Sequence, residues 1–213
     1  MPEEDEAAET VVVVADTLEC GAVVEFEDAW HGLEGLSADV FGVRIVAHPD
    51  RTGWHPDVRA YDMVDAESGD VLSHLFVDPY VRPGKAGGAF ADILDPGDRH
   101  GQSGPPRPPT MALVLNSPLP VDGVSLLSLF QASIMFHEYG HVLDFGLTTA
   151  SFSLHRGDWI PFDWIEGPSG FLERWGAQPD VIARYARHHR TGEPIPAALL
   201  ESIAGVEAKN TGL

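Results

Sequence analysis

The chain has 213 residues, 44% hydrophobic and 22% charged, which suits one globular domain with a real core. Thirteen Lys and Arg stand against 33 Asp and Glu, giving a formal charge of −20 and a pI near 4.6. That balance is the opposite of what phosphate binding needs, so neither nucleic acid nor an anionic membrane is an expected partner.

The first ten residues carry five acids and read as a solvated tail, with residues 1–26 as a lead-in and 27–213 as the folded core. An acidic start is the reverse of a signal peptide, and Val11–Val14 is far too short for an apolar h-region or a membrane span, so a cytoplasmic location is expected. Cys20 is the single cysteine and reads as a small, semi-buried residue with no disulfide or metal role.

From Glu27 to Phe41 the apolar residues recur at helical spacing, and Gly42 offers a C-terminal stop. Val43–Ala47, Val58–Val64 and Val71–Val77 are β-branched or alternating runs that predict strands, with Glu67–Asp70 as a hairpin turn. Asp95–Pro109 is rich in Pro, Gly, Asp and Arg and reads as a loop, after which Met111–Asn116 predicts one more strand. Ser125–Leu147 is apolar and low in breakers, long enough for a six-turn helix. Asp158–Ile165 is aromatic-rich, and helices are expected over Ser169–Trp175, Pro179–His189 and Pro196–Ala204. No internal repeat is visible.

The long helix contains Phe136-His137-Glu138-Tyr139-Gly140-His141. Two histidines four apart stack their imidazoles on one helical face, where both can bind one zinc ion. Glu138 lies about 100° round the helix from His137, so its carboxylate can take a proton from a metal-bound water without being a ligand. The alternative is an exposed helical face with two stacked histidines; the flanking Met135, Val142 and Leu143 argue against it, because ionisable groups are rarely buried unless paired or metal-bound.

Catalytic zinc usually takes three protein ligands and leaves a position for water. Downstream candidates for the third are Asp144, His155, Asp158, Asp163, Glu166 and Glu173. A metzincin would need Gly and His where Asp144 and Leu147 stand, which excludes that class. A glutamate from a second helix is the other solution, and Glu166 stands just before Pro168, a residue favoured in a first helical turn. Its carboxylate is therefore expected at a rigid helix entry.

Five ordered segments resemble the zinc metallopeptidase family of thimet oligopeptidase, neurolysin and oligopeptidase A. Phe136–Leu143 is similar to its zinc helix, and Phe162–Ser169 to the segment carrying its glutamate ligand. Arg82–Ala89 resembles its Gly-Lys loop, Trp54–Val58 the strand entry before that loop, and Arg187–Pro194 a later helix-end motif. The resemblance implies an α+β fold, mainly helical: a zincin-like catalytic core with a small β-sheet packed beside the zinc-binding helix. It implies one Zn2+ held by His137, His141 and Glu166, with Glu138 as general base, in a gluzincin that hydrolyses peptides. It further implies that Leu113–Asn116 is the strand beside the zinc helix, an edge to which substrate backbone could add. Asp163 and Asp144 are candidates for carboxylates that orient the imidazoles, with ordinary solvated or capping roles equally open.

Family members are much longer, with a helical lobe before the matched region and active-site tyrosines after it. Those tyrosines would donate to the developing oxyanion. Gly170 stands for a usual glutamine and Asp144 for a common histidine, neither of which removes a ligand or the base. An open cleft and an exposed apolar face are expected. Two alternatives to a self-sufficient peptidase follow: the zinc half of a split enzyme completed by a partner polypeptide, or a peptidase-like binding protein that cleaves nothing.

Overall fold

A computed structural model describes residues 23–101, 104–150, 160–201 and 203. Cys20, the acidic tail and the candidate ligands His155 and Asp158 lie outside the described residues.

The short strand β1 (Val23–Glu25) leads into helix α1 (Phe26–Phe41). The expected apolar spacing is realised as one buried face of Phe26, Ala29, Trp30, Leu33 and Leu36. Gly42 ends the helix at φ 65°, where its N–H returns to the Ala38 carbonyl at 3.1 Å, a conformation that costs a side-chain-bearing residue far more than glycine.

Five strands follow: β2 (Val43–Ala47), β3 (Arg59–Asp65), β4 (Val71–Tyr80), β5 (Phe90–Asp95) and β6 (Thr110–Ser117). Their spatial order is β2-β3-β4-β6-β5, antiparallel except for the parallel pair β4 and β6. The segment with Leu113–Asn116 is therefore not an edge strand. β6 is enclosed between β4 and β5, and the edge on that side of the sheet is β5, which carries Asp92 and Asp95 and does not read as a strand in sequence. Charged residues on an edge discourage unwanted pairing, which is why such a strand resembles a loop.

The apolar run from Ser125 does not begin as helix. Leu126–Ser128 forms β7, antiparallel to β1, and helix α2 (Leu129–Leu147) starts only after Ser128. Ser128 and Gln131 form a reciprocal capping box, with Ser128 Oγ accepting from the Gln131 N–H at 3.1 Å and Gln131 Oε1 accepting from the Ser128 N–H at 2.9 Å. α2 lies on one face of the large sheet. Met63, Leu75, Met111 and Leu113 from the strands and Phe136, Tyr139 and Val142 from α2 are all at most 1% exposed and form the centre of the core.

Helix α3 (Phe162–Gly176) crosses α2, and α4 (Pro179–Tyr185) ends four residues earlier than expected, giving way to a turn bridged between Arg187 and Pro194. Pro168 sits inside α3 rather than in its first turn, so Glu166 is not at the helix entry but already within the helix.

Candidate metal centre

His137 and His141 project from the middle of α2 with ring centroids 5.1 Å apart. α3 brings Glu166 to them: its Oε2 lies 3.2 Å from His137 Nε2 and 3.4 Å from His141 Nε2. All three candidate ligand atoms fall within 4.8 Å of one another. Donors about 2 Å from a tetrahedral ion are about 3.3 Å from each other, so the two measured separations match the spacing that such an ion needs. The donor set of two imidazoles and one carboxylate suits zinc.

The approach of α3 depends on Gly140. A Cβ there would meet Ser169 Cα at 2.6 Å and the Pro168 carbonyl oxygen at 2.8 Å, so only glycine lets the helices touch backbone to backbone beside Glu166. Ser169 is fully buried at this crossing, and its hydroxyl donates to Glu166 Oε2 at 2.8 Å, fixing the carboxylate rotamer. Glu173, two helical turns beyond Glu166, reaches His137 Nδ1 at 2.8 Å. It orients an imidazole and is not among the three converging groups. His141 stacks on Phe145 at 5.7 Å, and its buried Nδ1 has no hydrogen-bond partner among the described residues. Asp144 acts on His141 through its charge, while Asp163 is exposed in the first turn of α3.

Glu138 is half-buried beside this cluster. Burial pushes its carboxyl above the ordinary range; the neighbouring His137 and a hydrogen bond from the Ala91 backbone N–H oppose that, while Glu166 and Glu173 add to it. Burial likewise pushes the His141 imidazole down, against the pull of Glu166. Ala91 belongs to β5, so the free strand edge and the proposed base are in direct contact.

The sequence profile described as Peptidase family M3 matches residues 4–213, nearly the whole chain. The chain belongs to this peptidase family. It is 34% identical over 186 residues to oligopeptidase A of Escherichia coli, covering 85% of this chain and 26% of that protein. It is 32% identical over 182 residues to the dipeptidyl carboxypeptidase of Salmonella typhimurium, covering 85% and 26%. It is 33% identical over 186 residues to a probable cytosolic oligopeptidase A of Arabidopsis thaliana, covering 84% and 26%. The chain thus spans about a quarter of the length of the curated relatives it matches. Family membership agrees with the resemblance drawn from the five segments, and the observed helices and mixed sheet agree with an α+β core. Among the described residues no helix is long and apolar enough to cross a membrane.

Three features of this candidate site were not legible as such in the sequence: the Ser169 hydroxyl, the Glu173 partner of His137, and the Ala91 N–H. Ser169 left a signal in standing three residues after Glu166, within reach on one helical face, and Glu173 stood among the candidate ligands without an assignment to His137.

Proposed function

We propose that this chain carries the zinc-dependent catalytic centre of a peptide hydrolase, with a zincin-like arrangement of sheet and helix. His137, His141 and Glu166 would hold one Zn2+, and Glu138 would be the general base. The single observation that carries the reading is the convergence of three donors from two helices at tetrahedral spacing, with Glu138 beside them.

When bound, zinc supplies a Lewis acid that acidifies water and polarises a carbonyl. The residues of the chain supply the rest. The Glu138 carboxylate takes a proton from the attacking water and returns it to the departing amine. The Ala91 N–H favours the charged form of that carboxylate. Glu173 fixes the His137 ring through Nδ1, which leaves Nε2 toward the site. Ser169 does the same for Glu166. An extended peptide adds to the open edge of β5, which runs past the base, rather than to β6.

One observation favours completion by a partner polypeptide. Trp164 and Phe171, seven residues apart on one side of α3, are 75% and 56% exposed, an aromatic stripe beside a 710 Å3 depression that reaches Glu166. A cytoplasmic location is our reading; of two Arabidopsis thaliana relatives one is named cytosolic and the other organellar.

The test is metal content together with cleavage of a quenched fluorescent peptide library, for the native chain, Glu138→Gln and Glu166→Ala. One zinc per chain is expected in the native protein and in Glu138→Gln, with cleavage lost in Glu138→Gln and zinc lost in Glu166→Ala. Zinc without cleavage would favour the partner-dependent reading, and no zinc in the native chain would overturn the site.

A further inference from the structure

The large sheet has two edges, and they are built differently. β5 carries Asp92 and Asp95 with a register shift before Asp95, devices that discourage pairing between whole proteins. β2, Val43-Arg44-Ile45-Val46-Ala47, has no acid, no proline and an unbroken register with β3, in a chain that carries 33 acids. Among the described residues no strand pairs with its outer side. Val46 on this edge strand is 42% exposed.

The ladder to β3 decides which backbone groups of β2 face outward. The Gly42 carbonyl accepts from the Ala66 N–H at 2.8 Å, and the His48 N–H donates to the Ala60 carbonyl at 2.8 Å. Bonded positions alternate along an antiparallel strand, so Arg44 and Val46 also turn toward β3, while Val43, Ile45 and Ala47 turn their N–H and C=O groups away from it. Val43 is only 2% exposed, and Pro49 beyond the strand has no N–H, which leaves Ile45 and Ala47 as the usable stretch.

That stretch is complementary to a second copy of itself. Across a two-fold axis at Val46, Ile45 of each copy lies opposite Ala47 of the other. Each of the two pairs exchanges two hydrogen bonds, four in all, and every outward group of the stretch is satisfied. Centring on Ile45 instead would need the covered Val43. The same axis sets the exposed Val46 against its own symmetry mate at the close spacing of a non-hydrogen-bonded pair, about 4.5 Å between Cα atoms. It sets Arg44 against His48 and the turn that carries Asp50. Arg44 and Asp50 are both exposed and neither has an ion-pair partner among the described residues, so opposite charges meet on each side of the axis.

We propose that β2 is a homodimerisation edge, occupied by the β2 strand of a second copy paired antiparallel about Val46. The proposal goes beyond the peptidase reading and does not depend on it. The two five-stranded sheets then continue as one, and the two β5 edges stay open at its far ends, nine strand spacings or about 43 Å apart. At −20 per chain the copies repel at long range, so the dimer is tighter at high salt.

The experiment is sedimentation velocity of the full chain from about 1 to 100 μM in high salt, where the mass is expected to pass from one chain to two. Val46→Lys and Val46→Glu each place like charges face to face at the axis and should raise the dissociation constant at least about tenfold. An equimolar mixture of the two should dimerise at least as well as the native chain, because lysine then faces glutamate. Only a pairing in which position 46 meets position 46 gives that rescue, and a misfolded variant would not be rescued by mixing. Ile45→Pro removes an outward N–H and no bond to β3, so it should weaken the dimer at unchanged Tm; if it lowers Tm, the mixture decides. A native chain that stays monomeric at every concentration, a dimer indifferent to the charge variants, or charge variants that mixing does not restore would overturn the proposal.

Discussion

Replacing Gly140 with alanine isolates the helix crossing from the chemistry of the ligands. In an ordinary helix interior the change stabilises by about 1 kcal/mol, because alanine is the better helix former. Here the new Cβ would sit 2.6 Å from Ser169 Cα and 2.8 Å from the Pro168 carbonyl oxygen, and ordinary contact begins near 3.4 Å. Both opposing atoms are backbone, so α3 must retreat by most of an ångström and carry Glu166 with it. Metal sites tolerate about 0.2 Å in ligand position, so the displacement exceeds the tolerance several-fold. Overpacking of this kind costs about 1–3 kcal/mol. Gly140→Ala is therefore expected to lower Tm despite the gain in propensity, and to weaken zinc binding by at least about tenfold in competition with a chromogenic chelator. Native zinc affinity together with unchanged or raised stability would refute the claim that this crossing positions Glu166.

Glu173→Gln should leave the fold intact and reduce zinc affinity about 10- to 100-fold by weakening the partner of His137 Nδ1; equal affinities by chelator competition would show that Glu173 does not orient the ring. The fully buried Tyr139 hydroxyl meets Ser37 Oγ at 2.8 Å, so Tyr139→Phe alone should cost about 1–3 kcal/mol by stranding the serine, and the double change with Ser37→Ala should recover part of it in urea denaturation. Asp78 is 1% exposed, and although burial pushes its carboxyl up, hydrogen bonds from Arg82, Lys85 and Trp54 outweigh that and hold it at about 2, against 3.8 unperturbed. A carboxyl whose folded pKa is depressed stabilises above its unfolded pKa, so about 2 kcal/mol is present above pH 3.8 and is lost as pH falls toward 2. Urea denaturation between pH 5 and about 2 should show this loss in the native chain and a flatter profile in Asp78→Asn.

What could be read from the sequence followed from patterns whose cause is local. α1 was predictable because its buried face and its terminating Gly42 lie within one stretch of chain. β2 was predictable because β-branched residues bounded by turn residues have few other solutions. The candidate metal cluster was legible in part because His137 and His141 are fixed by one helix, while Glu166 was chosen by its context and by resemblance. Elements decided by distant partners were not. Leu126–Ser128 would continue the apolar run as helix, and pairing with β1 makes it a strand. β5 has too few apolar residues to declare itself and becomes a strand because β6 offers it a ladder. Pro168 reads as a helix start from its local preference, and the contact of α3 with α2 carries the helix through it. Glu173 could be listed as an acid but not assigned to His137, since that contact spans 36 residues and two helices.

The Lys85 ammonium has a consequence for cooperativity. It is nearly buried and donates to the Asp78 carboxylate and carbonyl, the Tyr80 carbonyl and the Leu115 carbonyl, at 2.5 to 3.0 Å. One cation thus ties the loop after β4 to the ends of both parallel strands. Lifting the loop alone would strand an anion and three carbonyls away from water, so partial opening is steeply uphill. Loop and strand ends should come apart as a unit, with slow, concerted amide exchange in a segment whose glycine content would otherwise suggest fraying.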